Sequence, residues 1–275
     1  MPSPLRQMLV RQVRAIFNDQ SRKERPVVRS DDALFAPGSP IWRVHGDVTS
    51  MMAGGVAALL MQMLHPSALS GIWEHSRFRD DMLGRLRRTA RFIAVTTYAS
   101  RDDAKAAIDQ INAIHDRVAG VRPDGAPYSA RDPRLLGWVH VTEATCFLAA
   151  WQRYGNAPLD AREQDAYFAE FATIADALGA DPIPRSRAEA ERLILTYRPE
   201  LVADARSRSV ARLILDPPQS PLHLLPAQKM IGAAAIDLLP DWAARMHGLS
   251  VPLLARPVIR GSARGLAQTM RWAFR

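Results

Sequence analysis

Cysteine is the scarcest useful residue in this chain, with Cys146 standing alone. One thiol cannot close an intramolecular disulfide, and multi-cysteine zinc or iron–sulfur sites are excluded. It fits a reducing compartment. Lysine is nearly missing as well, occurring at Lys23, Lys105 and Lys229, so the net charge of +8 is almost wholly arginine. The arginines recur along the whole chain, which reads as solvated helix faces rather than a nucleic-acid patch, and no nucleic-acid partner is expected. Long apolar runs are absent. The nearest, MMAGGVAALLMQML (51–64), falls short of the roughly 18–20 residues of a membrane span and reads as a buried helix. The opening MPSPLRQMLVRQVRAIF has no secretory h-region. Its Met8, Leu9, Val13, Ile16 and Phe17 suit an amphipathic helix, and a cytoplasmic location is expected.

Several motifs are missing too. There is no G-x-G-x-x-G, P-loop, H-E-x-x-H or G-x-S-x-G, which argues against dinucleotide, nucleoside-triphosphate, zincin and α/β-hydrolase sites. Without C-x-x-C-H no haem is attached covalently. Alternating strand patterns are rare, while apolar spacings of three and four recur almost throughout. The fold class expected is all-α. Helices are predicted over 4–20, 48–64, 79–98, 101–119, 132–154, 159–178, 185–197, 200–214, 221–238 and 258–272. Breaks are predicted at HPSALSG (65–71), VRPDGAPYS (121–129), YGNAPLD (154–160), GADPIPRS (179–186) and DPPQSP (216–221). No polar or Gly/Ser-rich linker divides the chain, so residues 1–275 read as a single helical domain. The helix at 48–64 is apolar all round and belongs at the centre. Gly54 and Gly55 cost it about 1 kcal/mol each relative to alanine. A close backbone or a flat cofactor would justify them.

Three groups of polar residues fall on apolar stripes. His115 follows Ile108 and Ile111 by seven and four residues and so continues their stripe. A neutral imidazole there needs partners for both nitrogens, either ordinary hydrogen bonds or a metal on one of them. His140 and Glu143, three apart, share a face with Leu136 and Phe147 and can reach a common partner. Arg85, Thr89, Phe92 and Thr96 form a mixed stripe bordered by Arg88. A buried arginine requires an anion, from a carboxylate side chain or from a ligand. His65, before Pro66, reads first as a helix-end residue.

In their order and spacing, four stretches resemble the latex-clearing-protein (rubber oxygenase) and MpaB-like oxygenase family. They are HGDVTSMMAGGVAALLMQMLHPSALSGIWEHSRF (45–78), RLRRTARFIAVTTYAS (85–100), INAIHDRVAGVRPDGAPYSARDPRLLGWVHVT (111–142) and LLPDWAARMHGL (238–249). The resemblance runs from about residue 40 to about residue 245. It implies a helical domain that binds haem b and a haem-dependent oxygenase using dioxygen on a small apolar organic substrate. Through the His-x-x-Val-x-Gly context it implies that His115, with Val118 and Gly120, is the proximal iron ligand. Through Arg-x-x-(Lys/Arg)-Thr it implies that Arg85, Arg88 and Thr89 support the haem, with Arg85 and Thr89 at the reacting centre. Rubber-cleaving members use a distal glutamate. Glu74 is the nearest acidic residue here, at a short spacing from Arg85. Those members are also longer and exported, so polyisoprene is not the expected substrate.

Three alternatives accompany this reading. One is a non-catalytic haem protein, a carrier, store or sensor. Another has no haem: a helical interaction protein whose arginines meet nucleic acid, with His115 a satisfied core residue. The third is a non-haem metal protein with His115, His140 and Glu143 as ligands. The C-terminal ARPVIRGSARGLAQTMRWAFR (255–275) is a basic amphipathic helix whose Leu266, Met270 and Phe274 make a narrow stripe. That stripe suits packing on its own core better than a membrane surface or a subunit contact, although a homo-oligomer is compatible with it.

Overall fold

Short polar side chains and prolines start the helices. In this computed structural model, residues 6–8, 10–11, 24–217 and 224–274 are described. Helix α1 (Pro40–His45) leads into α2 (Val48–Gln62), which Asp47 caps by accepting from the Ser50 N–H. Then come α3 (Pro66–His75), α4 (Met82–Tyr98) and α5 (Arg101–His115). A two-stranded ribbon of β1 (Ala119–Val121) and β2 (Pro127–Ser129) follows, antiparallel, with Gly120 opposite Tyr128. Next are α6 (Pro133–Tyr154), α7 (Ala161–Leu178), α8 (Arg187–Tyr197), α9 (Ala205–Leu215), α10 (Leu225–Leu238), α11 (Asp241–His247) and α12 (Arg256–Phe274). The architecture is all-α with one small ribbon.

Helix α2 is the axis of the fold, packed along α6 and ringed by α1, α9, α10 and α12. Gly54 permits that packing. A Cβ there would lie 2.9 Å from the Cys146 carbonyl oxygen and 3.0 Å from the Phe147 Cα, both backbone atoms of α6. The close neighbour is therefore a helix rather than a flat cofactor. At Gly55 the nearest atom would be 3.7 Å away, an ordinary contact.

The structure corrects several boundaries. The break predicted at HPSALSG is shorter and earlier: residues 63–65 separate α2 from α3, which are bent by 104°, Pro66 occupies the first turn of α3, and His65 Nδ1 caps it by accepting from the Ser67 N–H at 3.2 Å. Proline starts a helix readily, because no N–H is needed there. The helix expected over 101–119 stops at His115, and Ala119–Val121 leaves to form β1. Three helices, α1, α3 and α11, had no predicted counterpart. The predicted helix at 4–20 and the DPPQSP break fall largely outside the described residues. In α12 the buried residues are Ala263, Ala267 and Ala273, while Leu266 and Met270 are half-buried and Phe274 is exposed. Among the described residues no single helix is long and apolar enough to cross a membrane; α2 and α3 qualify only as a pair bent by 104°.

Candidate functional site

Helices α4 and α5 follow one another through Ala99 and Ser100 and pack against each other. Arg85 and His115 each stand about fifteen residues from that connection, roughly 22 Å along their own helices at 1.5 Å per residue. Their surroundings differ: Arg85 faces Arg88 and Glu143, and His115 faces Arg131 and Asp116. His115 is half-buried. Its Nδ1 is sealed from solvent with no hydrogen-bond partner, and no other hydrogen bond holds the ring among the described residues. Burial, then nearby Arg131, lower its pKa, and Asp116 opposes them. The imidazole is therefore neutral at pH 7, as a metal ligand must be. The stripe it continues fades along α5, since Ala104 and Ile108 are buried but Ile111 is only partly so.

Behind His115, the Val-x-Gly part of the motif has a local explanation. Tyr128 of β2 donates its hydroxyl to Glu74 Oε2 at 2.5 Å and lies 3.2 Å from His75 Nε2. A Cβ on Gly120 would sit 2.8 Å from the Tyr128 hydroxyl and 3.0 Å from Glu74 Oε2, so only glycine fits. Val118 Cγ1 in turn lies 3.6 Å from where a Cβ on Gly71 of α3 would be. These contacts bind the ribbon to α3. Burial, together with the Glu74 carboxylate, pushes the Tyr128 phenol up to about 12. Glu74 is itself exposed and engaged with Tyr128.

Arg85 is half-buried and incompletely paired. Its Nη1 donates to Ser76 Oγ at 3.2 Å, and among the described residues no carboxylate comes within ion-pair distance. Burial and then Arg88 lower its pKa to about 10, while Glu143 acts the other way. Its remaining N–H groups are not sealed in the packing. Thr89 donates its hydroxyl to the Arg85 carbonyl at 3.3 Å, one turn back in the same helix. Arg88 is exposed and pairs with Asp81 at 3.2 Å. Of the three, Arg88 alone is exposed.

Across from it on α6, burial raises the Glu143 carboxyl to about 7, countered by the Gln62 amide and Arg85. His140, one turn earlier, is buried against Phe171 at 4.8 Å between ring centroids, with Nε2 unpartnered. Burial drives its pKa down to about 4. The two residues therefore have different neighbours rather than a shared partner. Among the described residues no three His, Cys, Asp or Glu side chains are grouped to hold a metal ion. A non-haem centre built from His115, His140 and Glu143 is thus not formed.

The sequence reading missed His45. It is buried on α1, with Nδ1 2.8 Å from the Thr97 hydroxyl, Nε2 unpartnered and its ring 5.0 Å from Phe171. The Tyr167 hydroxyl nearby is also buried and unpartnered. The one available signal was position: His45 heads the stretch that enters the central helix.

This is an all-helical domain with a half-buried arginine on α4 and a half-buried, unpartnered histidine at the end of α5. Residues 42–272 match the family described as ER-bound oxygenase mpaB/B′/rubber oxygenase, catalytic domain, and the chain belongs to that family. The match extends past residue 245 and takes in α12. No curated protein and no solved structure matches the chain.

Proposed function

We propose that the chain is a haem-b-dependent oxygenase acting with dioxygen on an apolar organic substrate. One observation carries this reading: two successive helices each present a group short of a partner, Arg85 on α4 with no carboxylate at ion-pair distance among the described residues, and His115 at the end of α5, a neutral imidazole without a hydrogen bond. Each lacks what a haem would bring. His115 would hold the iron, and Arg85 would neutralise a propionate. Bound there, haem would supply the iron chemistry that activates dioxygen.

The chain's own residues do the rest. Burial keeps His115 deprotonated. The Gly120–Tyr128–Glu74 contact fixes the backbone that leaves His115. Thr89 keeps its hydroxyl turned onto its own helix, so it presents a compact wall rather than a competing donor. Glu143, with its pKa near neutrality, can hold or release a proton opposite Arg85. Arg88 stays at the surface, held by Asp81.

Absorption spectra test this. The parent protein, with haem added, is expected to show a Soret band that the His115→Ala variant loses or shifts. A band unchanged in that variant would move the ligand elsewhere, and His140→Ala is the next to examine. No band in the parent would sink the reading. Oxygen uptake by the reduced protein with apolar substrates separates an oxygenase from a carrier or sensor.

A further inference from the structure

Three helices far apart in the chain bring polar atoms to one aromatic ring in the core. Between centroids, the His45 ring of α1 lies 5.0 Å from that of Phe171, the His140 ring of α6 4.8 Å and the Tyr167 ring of α7 5.9 Å. His45 and Tyr167 are themselves 5.9 Å apart, edge to face. All three side chains are more than nine-tenths buried. Yet His45 Nε2, His140 Nε2 and the Tyr167 hydroxyl have no hydrogen-bond partner among the described residues. Protein interiors rarely leave one such atom unpaired, and here three stand around one phenylalanine.

Donor and acceptor roles follow from Thr97. Its hydroxyl donates to the Ile93 carbonyl at 2.7 Å, which uses its one proton. Toward His45 Nδ1, 2.8 Å away, it can only accept, so Nδ1 carries the ring proton. Burial lowers the His45 pKa to about 3, and the ring takes no second proton at neutral pH. Nε2 is therefore a bare acceptor. Burial keeps the Tyr167 phenol protonated, and it is a donor. This donor and this acceptor pack on the same ring without bonding each other. A group that joins them must accept from the phenol and also donate to the imidazole. A carbonyl cannot donate and an ammonium cannot accept, whereas water does both.

We propose that His45, Tyr167 and His140 line an internal water site, whose water ties the Tyr167 phenol to the His45 imidazole. His140 Nε2 supplies the third contact that a buried water ordinarily makes. The site has a titrating neighbour. Glu143 stands one turn from His140 on α6 and acts electrostatically on the same phenol. Water held there places exchangeable protons beside Glu143. Only this last role rests on the function proposed above, and the water site stands without haem.

The test uses the haem-free full chain. A high-resolution crystal structure is expected to show an ordered water within hydrogen-bond reach of both the Tyr167 hydroxyl and His45 Nε2. A direct Tyr167–His45 bond, or no density between them, overturns the proposal. Tyr167→Phe gives an independent sign. Removing an orphaned hydroxyl makes a protein more stable, and removing one bonded to water makes it less so. The folding equilibrium from urea denaturation should drop roughly fivefold. A variant as stable as the parent, or more so, contradicts the site. In nitrogen-15 spectra the His45 Nε2 signal should move toward that of a free imidazole nitrogen in Tyr167→Phe, and a signal that stays put also contradicts it. The Glu143 carboxyl stretch in the infrared, assigned with Glu143→Gln, should shift in Tyr167→Phe. An unmoved band overturns the link to Glu143 and leaves the haem reading to its own spectra.

Discussion

Tyr128 donates its hydroxyl to Glu74 across 2.5 Å, and the missing side chain of Gly120 makes the room for that bond. The two residues join β2 to α3 immediately after His115. Gly120→Ala should therefore destabilise the protein by about 1–3 kcal/mol, the usual range for forcing an atom into a closed contact. Tyr128→Phe removes only the hydrogen bond and should cost about 1 kcal/mol. Urea denaturation measures both. A Gly120→Ala variant as stable as the parent would show that the contact yields without cost.

The neighbouring glycines of α2 make opposite predictions. Gly54→Ala puts a methyl against the backbone of α6, which cannot rotate away, and should cost about 2 kcal/mol or more. Gly55→Ala meets nothing closer than 3.7 Å. It should be neutral or gain up to about 1 kcal/mol from helix propensity. Thermal melts of the two variants should move apart. If they moved together, the helix spacing would not be the cause.

Acid should unfold the protein through its buried histidines. Burial lowers His45 to about 3 and His140 to about 4, against 6.5 when unfolded. Below pH 6.5 the unfolded chain therefore takes up protons that the native state refuses, and stability falls as the pH drops. Glu143 acts in the opposite sense. Raised to about 7 from 4.5, it keeps a proton in the native state, so its contribution is present below pH 4.5 and is lost as the pH rises through 7. The two effects oppose each other between pH 6.5 and 4.5, so the steepest acid loss should lie below 4.5. In melting temperature against pH, His140→Phe should flatten the acid limb. Glu143→Gln should steepen the loss of stability on acidification between 6.5 and 4.5, because the opposing carboxyl is gone. Unchanged slopes in both variants would contradict the assignment.

Asp237 anchors the C-terminal helix. Its side chain is fully buried, and Arg153 at 3.0 Å, Arg260 at 2.8 Å and Arg256 at 3.6 Å all surround it. Asp237→Asn keeps the shape, removes the charge and leaves the arginines uncompensated. A loss of about 3 kcal/mol is expected. Arg260→Lys should recover little of the parent's interaction, since an ammonium cannot span both carboxylate oxygens. Calorimetry of Asp237→Asn reads the first, and a melt indistinguishable from the parent's would count against the anchor.

The long helices were legible because their signals are local. Asp132 before Pro133, and Asp160 three residues before Glu163, mark starts that the structure keeps. His65–Pro66 was misread because proline either starts or stops a helix, and the cap that decides lies on the Ser67 N–H. The end of α5 was missed because three-residue strands are too short to alternate. Their pairing depends on a partner across a turn. Spacing placed Arg85 and Thr89 on one stripe and grouped Arg88 with them, yet Asp81 holds Arg88 at the surface. His45 was not legible at all. Its role rests on Phe171, far along the chain, and no periodicity connects the two. The resemblance, more than the spacing, singled out His115.

The buried Asp237 has a mechanical consequence. One carboxylate on α10 holds Arg153 of α6 and Arg260 of α12. A load applied to the C-terminal helix is therefore passed straight to the helix that packs along the central axis.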